Sequence, residues 1–235
     1  MATALLAAGY RLAAIDLSGE NLEPLRTRYP EQLLFCLCDL TDEAQVQAAV
    51  QQVLATWARI DILVNNACLA VFRPFEERPV TDLPREFEVN YYGALRMIQA
   101  VLPSMKAQGG GLIHNVSSGV GISGFAGLIG YTSTKGALES ATRTLSIELE
   151  RYGITVNLMH PPLTNTRSAE PLGLPAQVMD DPAQVGRRLA ARIESKKAVI
   201  ATDLRTALYL WVLYRFPLSL GRLFSQMTER AHTAS

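Results

Sequence analysis

Two side chains in the stretch GYTSTKGALES, Tyr131 and Lys135, have types and a spacing that suit proton transfer. Four residues apart in a helical pattern, they share one face, about one turn from each other. An ammonium beside a phenol stabilises phenolate and lowers the tyrosine pKa from its reference of about 10, as a general base working near neutrality requires. Eight tyrosines and four lysines give roughly 0.1 such pairs by chance, so the pair gains weight only from its neighbours. Ser118 lies thirteen residues before Tyr131, at the end of the apolar run GLIHNVSS and across the glycine-rich connection GVGISGFAGLIG. A hydroxyl there stands at the same edge as the phenol, where both can bind one carbonyl oxygen.

Bringing these groups to one edge needs a scaffold, and the apolar patterning supplies it. The short runs RLAAID, LLFCLCD, DILVNNA, GLIHNVSS, ITVNLMHP and KAVIA alternate with longer helical stretches such as DEAQVQAAVQQVLATWA and LPREFEVNYYGALRMIQAVLPSM. Strands apolar on both faces, each followed by a helix, predict an α/β fold. Its sheet is parallel and doubly wound, in a single domain. In such a sheet, ligands bind at the carboxyl ends of the strands. The first run ends on Asp16, followed by Leu17. A carboxylate there accepts hydrogen bonds from both adenosine ribose hydroxyls and repels a 2′-phosphate, which favours NAD over NADP. Asp16 serves equally as a cap for the next helix. The second run ends CDLTD, where Asp39 reaches an adenine edge, or Thr41, Asp42 and Glu43 simply open a helix. The third ends on Asn65 and Asn66, which suit bonds to neighbouring strands or contact with a ribose.

With 235 residues the chain can bury a sizeable core. Lys+Arg and Asp+Glu both number 22, so no charge excess points to nucleic acid, and the balance leaves self-association unopposed. Cys36, Cys38 and Cys68 have no metal-ligand spacing, and their odd count argues against a disulfide framework. Strand alternation turns Cys36 and Cys38 to one buried face. His114 and His160 stand alone and read as structural. The start has no basic leader ahead of an apolar run, so the cytoplasm is the expected compartment.

Ser118, Tyr131 and Lys135, with NNA before them, Asp16 and Asp39 upstream and HPPLTNT after them, resemble the short-chain dehydrogenase/reductases from Met1 to about Ala201. The resemblance implies a Rossmann-type fold and hydride transfer between nicotinamide and a carbonyl or alcohol carbon. By position, Tyr131 becomes the acid/base and Lys135 the group that tunes it and holds the nicotinamide ribose. Ser118 becomes the carbonyl-orienting hydroxyl, and Asn90, in FEVNYYGAL, the residue whose backbone carbonyl holds a relay water. The family's cofactor contacts fall on Asp16, Leu17, Asp39, Leu40, Asn65, Asn66 and Ala67. They continue on Tyr131, Lys135, Pro161, Leu163, Thr164 and Thr166, with no metal. A homodimer or homotetramer is expected.

The sequence departs from the family pattern in three places. Cys68 replaces the glycine of NNAG, which lets the cofactor approach the backbone. Pro162 replaces the glycine of PG and removes an N–H beside the nicotinamide site. The family's first strand and its TGxxxGxG turn belong ahead of residue 1, so that strand is expected to be missing here. Met1 then reads as internal to a longer protein. The other reading is a relative that has lost the cofactor and binds or regulates; the intact Ser118, Tyr131, Lys135 and Asn90 favour the first.

The domain is expected to span residues 1–201, followed by an apolar helical extension at 202–235. The stretch TALYLWVLYRFPLSLGRLFSQMTERA is rich in large apolar residues, and Pro217 should break it into two helices. Its longest uncharged run, residues 206–214, is too short to span a bilayer. With Arg215 and Arg222 among its aromatics it suits a membrane interface or the cover of a long-chain substrate. It suits packing on the domain or a partner subunit as well. The apolar PLGLPAQVM points, with this tail, to a hydrophobic or lipid-like substrate.

Overall fold

The computed structural model describes residues 1–233, with side chains described as far as Thr228. The last two residues of the expected 202–235 extension lie outside the described residues. The chain runs α1 (Ala2–Ala7), β1 (Leu12–Asp16), α2 (Glu23–Arg28), β2 (Leu33–Leu37), α3 (Glu43–Trp57) and β3 (Ile62–Asn65). It continues α4 (Leu83–Phe87), α5 (Gly93–Ala107), β4 (Gly111–Val116), α6 (Val120–Ser123), α7 (Ile129–Leu149) and β5 (Ile154–His160). It closes with α8 (Pro182–Ala190), β6 (Val199–Ala201), α9 (Leu204–Arg215) and α10 (Pro217–Thr233). All six apolar runs form strands, in the expected order.

Local chemistry sets the element boundaries. Asp42 opens α3 by accepting from the Ala44 and Gln45 amides at 2.9 and 3.2 Å, and Asp203 opens α9 through the Thr206 amide at 2.8 Å. Gly153 turns the chain into β5 at φ 71°, where a Cβ would meet the Gly109 carbonyl oxygen at 2.6 Å. At Pro217 the chain breaks as expected. Phe216 leaves helical geometry (φ −133°, ψ 56°), and proline takes the first position of the next helix.

Every strand pair is parallel. The single sheet expected from the pattern is in two pieces, however: β1 bonds only β2, while β3, β4, β5 and β6 form the other piece in that order. No described segment bonds the facing edges of β1 and β3, and both edges border one large cavity. Side-chain alternation still sends β1 and β3 into two cores. Ala13, Ile15 and Leu63 join the core built on α3 and α5. Leu12, Ile62 and Val64 pack with Leu5 of α1 and Val185 and Leu189 of α8. Cys36 and Cys38 are both buried, as free thiols. No helix among the described residues is long and apolar enough to cross a membrane.

Candidate active site

The carboxyl end of β4 and the first turns of α7 bring together the three residues singled out by spacing. Lys135 is 3% exposed. Its Nζ donates to the Val116 carbonyl at 2.7 Å and stands 5.6 Å from the centroid of the Tyr131 ring. Tyr131 shares a side-chain hydrogen bond with Ser118, two residues past Val116. α6 presses on this turn at Gly121, where a Cβ would come within 2.8 Å of Lys135 Cβ. Only a glycine lets the two helices close over the lysine.

The protonation balance reverses the expectation for the phenol. Burial pushes the Tyr131 pKa above its ordinary value, and the bond with Ser118 only partly opposes this. Burial likewise pushes Lys135 down. Spacing alone credits the attraction between ammonium and phenolate, whereas both groups have left water, which disfavours both charged forms. Tyr131 therefore rests as a protonated phenol, the form that can give up a proton.

Asn90 sits in a π-helical turn, Glu88–Tyr92, between α4 and α5. Its side chain accepts from the Leu69 amide at 2.6 Å and donates to the Leu69 carbonyl at 2.8 Å and Thr134 Oγ1 at 3.0 Å. It thus ties the loop after β3 to α7. Between Asn65, Asn90 and Lys135 lies a cavity of about 10 Å³, close to the smallest that holds one water.

Spacing did not single out the group beneath. Glu139 is one turn past Lys135 and 3% exposed. Its carboxylate accepts from Ser117 Oγ at 2.9 Å and, across 75 residues of sequence, from the Tyr214 hydroxyl of α9 at 3.0 Å. Arg143 approaches at 3.6 Å. His160 Nε2 is 3.5 Å from the same carboxylate, but neither ring nitrogen has a hydrogen-bond partner. The placement of Glu139 four residues after Lys135, on the same helix face, is the available signal. His114, by contrast, is fully engaged, with Asn157 Oδ1 at 2.5 Å and the Ile193 carbonyl at 2.7 Å.

The main cavity, about 1740 Å³, fills the gap between the open edges of β1 and β3 along their whole length, from Leu12 and Ile62 onward, and continues along the carboxyl ends of the strands from Asp16 to Thr166. Asp16, Leu40, Asn66 and Ala67 border its first part, and Pro161, Leu163, Thr164 and Thr166 its far part, with Ser118, Tyr131 and Lys135 between. Asn65 also borders it, although its amide is spent on Asn115 Oδ1 at 2.8 Å. Two expected contacts fall elsewhere. Asp39 is absent from the lining because its carboxylate closes its own turn, accepting from Thr41 N and Oγ1 at 2.9 and 2.8 Å. Leu17 is also off the lining and 67% exposed, its amide held by Asp16 Oδ1 at 2.7 Å. The lining carries a carboxylate, Asp16, at one end and the phenol–lysine pair toward the other.

The short chain dehydrogenase family model matches residues 1–175. The chain is 34% identical over 183 residues to 2-(R)-hydroxypropyl-CoM dehydrogenase of Xanthobacter autotrophicus, a match covering 73% of each protein. It spans 63% of the length of the next relatives it matches. Among solved structures it is similar to a short-chain dehydrogenase from Streptomyces avermitilis (TM-score 0.78, 29% identity, covering 99% of this chain and 91% of that one). It is also similar to a 3-ketoacyl-(acyl-carrier-protein) reductase from Brucella melitensis complexed with NADH (TM-score 0.75, 25% identity, covering 86% and 87%). The chain belongs to the short-chain dehydrogenase/reductase family of nicotinamide-dependent oxidoreductases.

Proposed function

We propose that this protein interconverts a hydrophobic carbonyl compound and its alcohol, using NAD in preference to NADP. The observation that carries this reading is the meeting of Ser118, Tyr131 and Lys135 on one wall of the main cavity. Asp16 would hold the adenosine ribose, Tyr131 and Lys135 the nicotinamide ribose, and Thr164 and Thr166 the far end. Bound there, the nicotinamide supplies two-electron chemistry at the carbonyl carbon. In reduction Tyr131 gives its phenolic proton to the carbonyl oxygen as that oxygen becomes alkoxide, while Ser118 donates a second hydrogen bond to it. Both bonds strengthen as charge appears, so they favour the transition state over the bound ketone. Lys135, pinned on Val116, faces the small cavity beside Asn90, and a water there would carry the replacement proton.

The preference for an apolar substrate rests on the remaining walls. Phe125, Leu128, Leu174, Tyr209, Phe224 and Met227 border the cavity beyond the catalytic group. Tyr209 and Phe224 join α9 to α10 through an edge-to-face ring contact at 5.9 Å. Asp16 supports NAD through its repulsion of a 2′-phosphate. Free buried thiols fit the reducing cytoplasm, and balanced charge fits a homo-oligomer. The 202–235 segment is proposed as an extension that covers the substrate end of the 1–201 domain.

The test is a fluorescence titration with NADH and NADPH, followed by turnover on a panel of ketones of increasing chain length. NADH should bind more tightly, Asp16→Ala should narrow the gap, and Tyr131→Phe should keep binding while losing turnover. A folded protein that binds neither nucleotide refutes the reading.

A further inference from the structure

We propose that α9 and the start of α10 form a docking face for an anionic lipid bilayer. α9 turns Thr206, Leu210 and Leu213 inward, at 5, 4 and 0% exposure, whereas Leu204, Leu208 and Trp211 are 85, 61 and 66% exposed. The outer set recurs at i, i+4 and i+7, a stripe on the side of the helix opposite the buried set. Arg215, four residues on, extends it. Past the break, Phe216 and Leu218 are exposed too, at 54 and 67%, and Arg222 stands one turn after Leu218.

Charge selects the occupant. From Leu204 to Thr228 the sequence contains Arg205, Arg215 and Arg222 and no aspartate, glutamate or lysine, and all three arginines are exposed. Of the neighbouring acids with described side chains, Asp203 caps α9 and pairs with Arg188 at 2.8 Å, and Glu139 is buried under Tyr214; Glu229 is the next acid in sequence. Arg205 borders the main cavity, and a two-fold contact between copies through this face would set Arg215 and Arg222 against their own copies. An anionic headgroup layer meets them with opposite charge and receives the leucines and Trp211 below it. The arginine stems are long enough to let the guanidinium remain among the headgroups.

The inner sides of the same helices carry Tyr209, Phe224 and Met227 to the main cavity. Given the apolar substrate proposed above, a bilayer-seated face holds the cavity wall against the phase where that substrate collects. Docking itself does not depend on that reading.

The experiment is co-flotation of the 235-residue protein with vesicles of phosphatidylcholine alone or with added phosphatidylserine, at low and high salt. Arg215 and Arg222 near an anionic surface each contribute roughly a fivefold factor, so the anionic vesicles should bind about 25-fold more tightly, with the difference shrinking in salt. Leu208→Asp with Trp211→Asp should abolish flotation, and Arg215→Glu with Arg222→Glu should remove the anionic preference. Both pairs lie on the surface, and circular dichroism checks the fold. Equal binding to both vesicles, or none by folded protein, overturns the proposal. So does a dimer in light scattering that the double aspartate variant dissolves, which would make a second copy the occupant. An NADH titration in parallel separates the two readings, since loss of nucleotide binding refutes the enzyme and leaves flotation untouched.

Discussion

His160 makes the stability of this protein depend on pH in a direction the structure fixes. The ring is 0% exposed, closes β5 beside Pro161, and has no hydrogen-bond partner at either nitrogen. The charges facing it are Lys135 and the Glu139 carboxylate, which Arg143 approaches from the solvent side. Burial first, and then the Lys135 ammonium, lower the His160 pKa from 6.5 to about 4. The carboxylate at 3.5 Å makes no hydrogen bond that would reverse this. Because the folded pKa is the lower one, the unfolded chain binds the extra proton between pH 6.5 and 4. Stability is complete above 6.5 and falls as pH drops through that window. The full shift is worth about 3 kcal/mol, of which roughly 2.5 is lost between pH 7 and 4.5. Urea unfolding of the wild type and of His160→Leu at those two pH values isolates it, because other acid-titrating groups are common to both proteins. The variant should lose about 2–3 kcal/mol less than wild type on acidification. An equal loss in both would show that His160 titrates in the fold as it does in the unfolded chain, and the placement of the buried ring against Lys135 would then be wrong.

Two further outcomes follow from buried polar contacts. Arg78 and Glu86 form a direct ion pair with side chains 1 and 0% exposed, and Glu86 Oε1 also accepts from the Val71 amide at 3.1 Å. Glu86→Gln strands a guanidinium away from water and should cost about 3–5 kcal/mol, seen as a melting temperature lower by roughly 10 °C or more; Asp61→Asn, at the exposed Arg59 pair, should leave the melt unchanged. Tyr214→Phe removes the hydroxyl that reaches Glu139 from α9 and should cost about 1–2 kcal/mol in urea unfolding, with Glu139 still held by Ser117.

What could be read from sequence, and what could not, divides along the line between local pattern and tertiary burial. The six strands appear in order because each is a short apolar run closed by a turn, a signal that survives without knowledge of neighbours. Ser118, Tyr131 and Lys135 meet because strand ends and helix starts share one edge of such a sheet. The break between β1 and β3 was not visible in the runs themselves, since an unpaired edge leaves the same apolar pattern as a paired one. Here the expectation of a missing strand came from family resemblance, and the structure contributes only the open edges.

Glu139 separates the two kinds of information most clearly. In KGALESATR it looks like one charge on a solvated helix face, with Arg143 one turn on. Helical spacing places it on the face of Tyr131 and Lys135, but it takes Ser117, His160 of β5 and Tyr214 of α9, 75 residues later, to surround that end of the face. Removal from water also decides the direction of the Tyr131 shift. An exposed ammonium–phenol pair favours phenolate, whereas the same pair under α6 keeps the phenol protonated. The residue types set which proton can move, and the helices packed over them set which side of the transfer the resting protein occupies.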